Sequence, residues 1–111
     1  MADKMITVND RNFVSEVEQS AVPVLVDFGA TWCGPCKVLG GTLDAMVDGY
    51  RDKVKFCYAD IQEAPLTAQK FGIRSVPTVI VFRKGAPAGS LLGAQPRPKL
   101  EELIGSVLRP R

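Results

Sequence analysis

Two cysteines separated by a glycine and a proline are the residues of this chain best suited to chemistry. Cys33 and Cys36 lie in the segment WCGPC, residues 32–36, between an apolar run and residues at helical spacing. The first sulfur would then lie at a helix N-terminus, where unpaired N–H groups and the helix dipole favour a thiolate, so we expect a lowered pKa for Cys33. Cys36 lies one helical turn further on the same face, within reach of a disulfide. The pair is predicted to be a redox dithiol.

Half of a zinc site is the alternative interpretation of a CxxC motif. A structural zinc ion needs four ligands, usually two cysteine pairs or one pair with histidines. The chain has no histidine and three cysteines, and Cys57 lies within an apolar, strand-like run. This ligand count makes zinc a minor alternative, and we expect neither a metal nor a cofactor. Cys57 is predicted to be a small buried hydrophobic residue.

Length and charge restrict the classes of function that are open to the chain. Its 111 residues suffice for a single domain, 1–111, with one core. The formal net charge is +2 and the charged residues are interleaved, so a nucleic acid partner is not expected. No apolar stretch approaches the roughly 20 residues that cross a bilayer, and the N-terminus lacks a secretory layout. We therefore expect a cytoplasmic protein without membrane contact, where a vicinal cysteine pair favours redox chemistry.

Apolar spacing predicts the secondary structure that positions the dithiol. The strands are predicted at 5–8, 24–28, 53–59, 78–82 and 90–92. The later helices are predicted at 36–50, 65–71 and 100–108. The order is β-α-β-α-β-α-β-β-α, which places the dithiol at the carboxyl end of a central strand, where open α/β sheets usually carry their chemistry.

Separate features of the sequence predict the first helix and the last hairpin. Phe13, Val14 and Val17 share one face behind the caps Asp10 and Asn12, which predicts a helix that ends before the proline at position 23. The turn at residues 83–85 is too short for a parallel crossover, so the last two strands are predicted to pair antiparallel in a mixed sheet.

Three further segments match one known family in order and spacing. They are VDF at 26–28, which leads into WCGPCK, then FGIRSVPT at 71–78, and LGA at 92–94. With these segments the chain resembles the thioredoxin family from Met5 to Leu108. The resemblance implies an α/β thioredoxin fold, a central mixed five-stranded sheet flanked by four helices. It also implies a protein-disulfide reductase, an electron carrier in cell redox homeostasis.

The resemblance implies roles for both cysteines and for one carboxylate. Cys33 is the implied nucleophile that attacks a disulfide of a client protein, and Cys36 is the implied resolving thiol. Asp27, which interrupts the apolar strand, is the implied base for Cys36, acting through a water. A hydrogen bond to neighbouring backbone is the structural alternative for this carboxylate.

Partners follow from the same resemblance. The oxidised pair needs thioredoxin reductase or an equivalent donor, since the chain carries no flavin or nicotinamide motif. Disulfide-containing client proteins are the implied substrates, and we expect a monomer.

An apolar patch around the first sulfur is implied for recognition of clients. Its implied members are Trp32, Gly34, Pro35, Val76, Pro77, Gly93 and Ala94. The Val76–Pro77 peptide bond is the implied cis bond that faces the dithiol. Core packing is the alternative for Trp32, but its place beside the nucleophile favours the surface.

Three sites depart from the family pattern. Tyr58 stands where relatives commonly carry a lysine near Asp27, so burial is expected to raise the pKa of Asp27, with the Tyr58 hydroxyl as a candidate hydrogen-bond donor. Gly29 replaces a common tryptophan, which should loosen the loop that follows. Gly40 and Gly41 stand where a proline usually kinks the long helix, so this helix is expected to bend or fray there.

Two other functions stay open from the sequence. A binding or scaffold module would use the apolar patch and ignore the cysteines. An oxidase or isomerase of the same fold is less favoured, because of the cytoplasmic assignment and the Gly-Pro pair.

Overall fold

The computed structural model describes residues 4–109 as one sheet with helices on both faces. The strands are β1 Ile6–Val8, β2 Val24–Gly29, β3 Lys55–Asp60, β4 Thr78–Arg83 and β5 Ala86–Leu92. The helices are a π-helical segment, Val14–Glu18, and α1 Gly34–Met46, α2 Pro65–Lys70 and α3 Arg97–Leu108, with a 3₁₀ turn, Val47–Tyr50, after α1. In the described range no helix is both long and apolar enough to span a bilayer. Residues 1–3, part of the N-terminal segment considered above, and 110–111 lie outside that range.

The strands form one mixed sheet in the order β1-β3-β2-β4-β5. β3 runs parallel to β1 and β2, whereas β4 runs antiparallel to β2 and β5. The predicted mixed sheet and its antiparallel hairpin are confirmed, although β5 begins earlier in the chain than predicted. β2 is the central strand, and all of its residues are buried. The loop that carries the cysteines therefore starts from a rigid part of the fold.

Alternate residues of β2 face two separate clusters of buried side chains. Leu25 packs with side chains of α1 and α3 in one cluster. Val26 packs on the opposite face, with Val17 of the π-helical segment. Because side chains alternate along a strand, Asp27 and Gly29 share the face of Leu25, beneath α1. This face also brings them to the first turns of α1, where the cysteines lie.

The first helical segment differs from its prediction in length, face and caps. It spans only Val14–Glu18, Val14 is 49% exposed, and no side chain caps the N-terminus. Asp10 instead accepts hydrogen bonds from the backbone N–H and the hydroxyl of Thr67, in the first turns of α2. Asn12 bonds within its own turn. The predicted cap at Asp10 is wrong because the unpaired N–H groups to which Asp10 bonds belong to α2, far along the chain.

α1 continues through Gly40 and Gly41, so the predicted fraying is wrong. One face of the helix is buried against the sheet through Cys36, Leu39, Leu43 and Met46. Packing of this apolar face outweighs the low helix propensity of two glycines, which costs roughly 1 kcal/mol each.

Candidate functional site

Cys33 and Cys36 lie where the loop after β2 enters α1. They form a disulfide, with Cα atoms 5.2 Å apart. Cys33 is the N-cap residue of α1, and the backbone N–H of Cys36 donates to its Sγ at 3.2 Å. Pro35 lies in the first turn, where its missing N–H removes no helical hydrogen bond. The predicted helix N-terminal placement is confirmed, and it favours negative charge on the first sulfur.

Two segments distant in sequence border the first sulfur. The carbonyl oxygen of Val76 lies 4.0 Å from Cys33 Sγ, and the Val76–Pro77 peptide bond is cis, as the resemblance implied. The N–H of Gly93 donates to the carbonyl oxygen of Pro77 at 2.8 Å, which fixes the residues after β5 beside the same segment. The structure thus brings the WCGPC segment, the cis proline and the β5 end to one surface.

The side chains of this surface are unequally exposed. Trp32 is 66% exposed, so it is a surface residue and the core alternative is wrong. Gly34, Pro35 and Ala94 are exposed, Val76 and Gly93 are half-buried, and Pro77 is buried. Leu92, 64% exposed at the end of β5, adds an apolar side chain that the sequence analysis missed. Its position just before the Gly-Ala pair was a usable signal for this edge of the patch.

Asp27 is the buried ionisable group beside the dithiol. It is fully buried, and neither carboxylate oxygen has a hydrogen-bond partner among the residues described. Burial raises the pKa of Asp27 from 3.8 to about 7, because the carboxylate loses its hydration without compensation. The backbone hydrogen bond of the structural alternative is therefore absent from the described part of the chain. A group that is half ionised near neutrality can take up and release a proton.

Tyr58 lies opposite Asp27 in the parallel register of β2 and β3, but the predicted hydrogen bond between them is wrong. The Tyr58 ring lies against Gly29: a Cβ added there would lie 3.0 Å from Tyr58 Cε1 and 3.5 Å from Cys36 Sγ. Burial, with smaller contributions from Asp60 and Asp27, raises the pKa of Tyr58 to about 12. Gly29 thus leaves room for the ring of Tyr58 near the second cysteine, an arrangement that the sequence did not predict.

Comparison with known proteins decides the family. The family model for thioredoxin matches residues 4–106. The chain belongs to the thioredoxin family. It is 40% identical over 104 residues to a thioredoxin of Alicyclobacillus acidocaldarius, an alignment that covers 94% of this chain and 98% of the relative. It is 43% identical over 100 residues to a thioredoxin of Staphylococcus saprophyticus, covering 90% and 94%.

A chloroplastic relative is similar at the same level. The M-type chloroplastic thioredoxin of Chlamydomonas reinhardtii is 40% identical over 101 residues, which cover 91% of this chain and 72% of the relative.

Thioredoxins reduce disulfides through a vicinal cysteine pair, and Cys33 and Cys36 form that pair here. The protein is a thiol-disulfide oxidoreductase, and the scaffold interpretation that left the cysteines idle is not supported.

Cys57, the third cysteine of this thioredoxin, lies in β3 away from the redox pair. It is fully buried, as predicted, and burial raises the pKa of its thiol to about 12. Among residues 4–109, no group of three or more histidine, cysteine or acidic side chains could hold a metal ion.

We expect the Cys57 thiol to be unreactive in the folded protein. In a Cys33→Ser/Cys36→Ser double variant it is the last thiol, and at pH 8 burial keeps it protonated. Iodoacetamide should label the native variant about 10³-fold more slowly than the same variant in urea, because the thiolate fraction falls by that factor. Mass spectrometry over time measures both rates, and similar rates would contradict the buried position.

Proposed function

We propose that this protein is a general cytoplasmic disulfide reductase, which acts as a monomer on many client proteins. Thioredoxin reductase or an equivalent donor then reduces its Cys33–Cys36 disulfide again. One observation carries the proposal: the Cys33 sulfur at the helix N-terminus receives an N–H hydrogen bond beside the exposed Trp32. A sulfur placed in this way is favoured as a thiolate next to a surface that a client can contact.

In the first proposed step, Cys33 attacks one sulfur of a client disulfide. A bond forms between that sulfur and Cys33 Sγ, the client S–S bond breaks, and the other client sulfur leaves as a thiolate. The Val76 carbonyl oxygen, 4.0 Å from Cys33 Sγ, gives an extended client segment a backbone acceptor beside the reacting atoms. The product is a mixed disulfide between the two proteins.

In the second step, Cys36 attacks the Cys33 sulfur. The Cys33–Cys36 bond forms, the mixed disulfide breaks, and the client leaves as a dithiol that has gained two electrons. Cys36 must first lose its proton, and Asp27 is the base we assign to it, because its pKa of about 7 lets it accept a proton near neutrality. The two cysteines are one helical turn apart, so the attack is intramolecular and fast.

The partners follow from the shape and composition of the surface. A small patch with exposed Trp32 and Leu92 has few features that would select one client, which supports a broad range of client proteins. The chain carries no flavin or nicotinamide motif, so electrons must come from a separate donor. A pair that works as a reductant must be kept reduced, and this supports a reducing compartment such as the cytoplasm.

Insulin-disulfide reduction tests the proposal. With dithiothreitol as donor, the wild type should accelerate the turbidity that follows release of the insulin B chain, at a protein concentration far below that of insulin. With NADPH and a thioredoxin reductase, the same protein should support continuous NADPH oxidation. Insulin reduction no faster than with dithiothreitol alone would refute a reductase role, and light scattering above the mass of one chain would refute the monomer.

A further inference from the structure

A cavity of about 200 Å³ lies on the α1 side of the sheet, directly beside the second cysteine. It is lined by Thr7, Ala30, Thr31, Cys36, Lys37, Gly40, Gly41 and Tyr58. Cys33 is not among the lining residues, so the cavity approaches the pair from the side of Cys36 alone. Its volume is below the roughly 300–1,000 Å³ of sites for drug-sized ligands, and it suits a compound with a single ring.

The cavity exists because residues around Cys36 are small. Gly40 and Gly41 place bare helix backbone along one wall, and a Cβ at either would meet no heavy atom within 4 Å. Gly29 lets the Tyr58 ring approach Cys36, which forms the opposite wall. The backbone does not require glycine at residues 40 and 41, because α1 continues through both and neither has a positive φ. At both helix glycines there is therefore room for a side chain, and the absence of one leaves the space open.

The walls of the cavity have a definite chemistry. The aromatic ring of Tyr58, the Cys36 side chain and Ala30 provide apolar surface. The lining residues with a polar side-chain group are Thr7, Thr31, Tyr58 and Lys37, and Lys37 makes no ion pair among residues 4–109. No acidic residue lines the cavity, although Asp60 and Asp27 lie near Tyr58 and contribute, after burial, to the raised pKa of its hydroxyl. Such walls complement a flat apolar body that carries a negative group.

We propose that this cavity binds a small planar organic anion of the aromatic carboxylate class. The ring of the ligand lies against Tyr58 and the backbone of Gly40, and its carboxylate faces Lys37 and the threonine hydroxyls. The bound ligand covers Cys36 on the side opposite Cys33 and restricts the movement and hydration that this thiol needs in the resolving step. Binding itself is independent of the proposed function, whereas the inhibition rests on it.

Binding of benzoate to the oxidised, ¹⁵N-labelled protein tests the site. Benzoate should produce saturable amide shifts confined to Thr31, Lys37, Gly40 and Gly41. Benzyl alcohol, which has a similar shape and no charge, should bind more weakly at the same residues. A Lys37→Gln variant should weaken benzoate binding by about threefold, the size expected of an exposed charge pair, and leave benzyl alcohol binding unchanged.

A matched pair of glycine variants separates the cavity from a general surface effect. Gly40→Leu fills the cavity from α1 and should weaken benzoate binding by about tenfold or more. Gly105→Leu makes the same change in α3, where an added Cβ also meets no heavy atom within 4 Å, and should bind benzoate as the wild type does. Both replace a helical glycine by a better helix former, so both should fold.

The outcomes distinguish this site from the proposed function. Scattered shifts that do not saturate, or equal benzoate binding by wild type and Gly40→Leu, would overturn the site. In the insulin assay, saturating benzoate should slow the wild type and Gly105→Leu at least twofold, with no effect on Gly40→Leu. Saturable binding without this slowing would overturn the proposed inhibition and leave the binding site established, whereas an inactive wild type with normal benzoate binding would refute only the reductase function.

Discussion

A Cys33→Ser variant will lose insulin-disulfide reduction by about 10³-fold or more, because a serine hydroxyl neither ionises near neutrality nor exchanges with disulfides. A Cys36→Ser variant will fail at the following step. It keeps Cys33, the proposed nucleophile, at the N-cap of α1, so it will react once with a client and remain attached to it as a mixed disulfide. The two single changes will therefore give different products, although neither variant turns over.

The difference arises because the two sulfurs occupy different environments. Cys33 Sγ receives the N–H of Cys36 and lies beside the Val76 carbonyl, on the surface that carries exposed Trp32. Cys36 lies one turn into α1, with the Tyr58 ring and Gly29 nearby; in the disulfide form both cysteines are buried, with exposed fractions of 7% for Cys33 and 5% for Cys36. The contacts around each sulfur, and not a difference in burial, therefore support Cys33 as the proposed nucleophile and Cys36 as the proposed resolving thiol.

Non-reducing gel electrophoresis and mass spectrometry of each variant with oxidised insulin measure the outcome. The Cys36→Ser variant should gain the mass of a whole insulin molecule, because a single exchange opens only one of the disulfides that join the insulin chains, and dithiothreitol should release it. Cys57→Ala is the control, since the third thiol is fully buried and lies outside the redox pair. A Cys33→Ser variant that forms the covalent complex as fast as Cys36→Ser would contradict the assignment of Cys33 as the nucleophile.

The parts of the site predicted correctly from the sequence depend on short-range geometry. The helix N-terminal position of Cys33 and the reach of Cys36 follow from a spacing of three residues. The fully buried strand around Asp27 follows from a run that is apolar on both faces. The cis bond before Pro77 and the neighbouring Gly93 were found only through family resemblance, because nothing in their local sequence brings them to the dithiol.

The errors concern interactions between residues that are far apart in the chain or that depend on side-chain direction. Asp10 was placed as a cap of the nearest helix, but it binds Thr67, 57 residues later. Tyr58 was placed opposite Asp27 correctly, yet its ring lies against Gly29 and does not donate to the carboxylate. Register gives the position of a strand residue, but packing against other elements decides where a long side chain points.

The unpartnered carboxyl of Asp27 gives the second large prediction, which concerns stability. Its pKa is about 7 in the folded protein and near 3.9 in an unfolded chain. Between these values the folded state keeps a proton that the unfolded state has lost, so the unfolding free energy falls as pH rises and becomes level above the folded pKa. The loss attributable to this group is on the order of 4 kcal/mol.

An Asp27→Asn variant cannot ionise, so its unfolding free energy should stay nearly level between about pH 4 and about pH 8, and it should exceed that of the wild type at the alkaline end. Urea unfolding of the oxidised proteins at intervals of pH measures this. The control is Asp60→Asn, because Asp60 is a nearby buried acid whose carboxylate already accepts a hydrogen bond from the N–H of Gln62 at 2.8 Å. A wild type as pH-insensitive as Asp27→Asn would contradict the raised pKa.

The same substitution separates a catalytic role of Asp27 from a merely structural one. If this carboxylate takes the proton of Cys36, the mixed disulfide should be resolved about 10²-fold more slowly in Asp27→Asn near pH 7, the usual contribution of a positioned base. The deficit should shrink as pH rises, because hydroxide then deprotonates Cys36 directly. Rapid-quench measurement of client release gives the rate against pH. A variant more stable than the wild type, with an unchanged rate at every pH, would mean that the buried carboxyl costs stability without serving proton transfer.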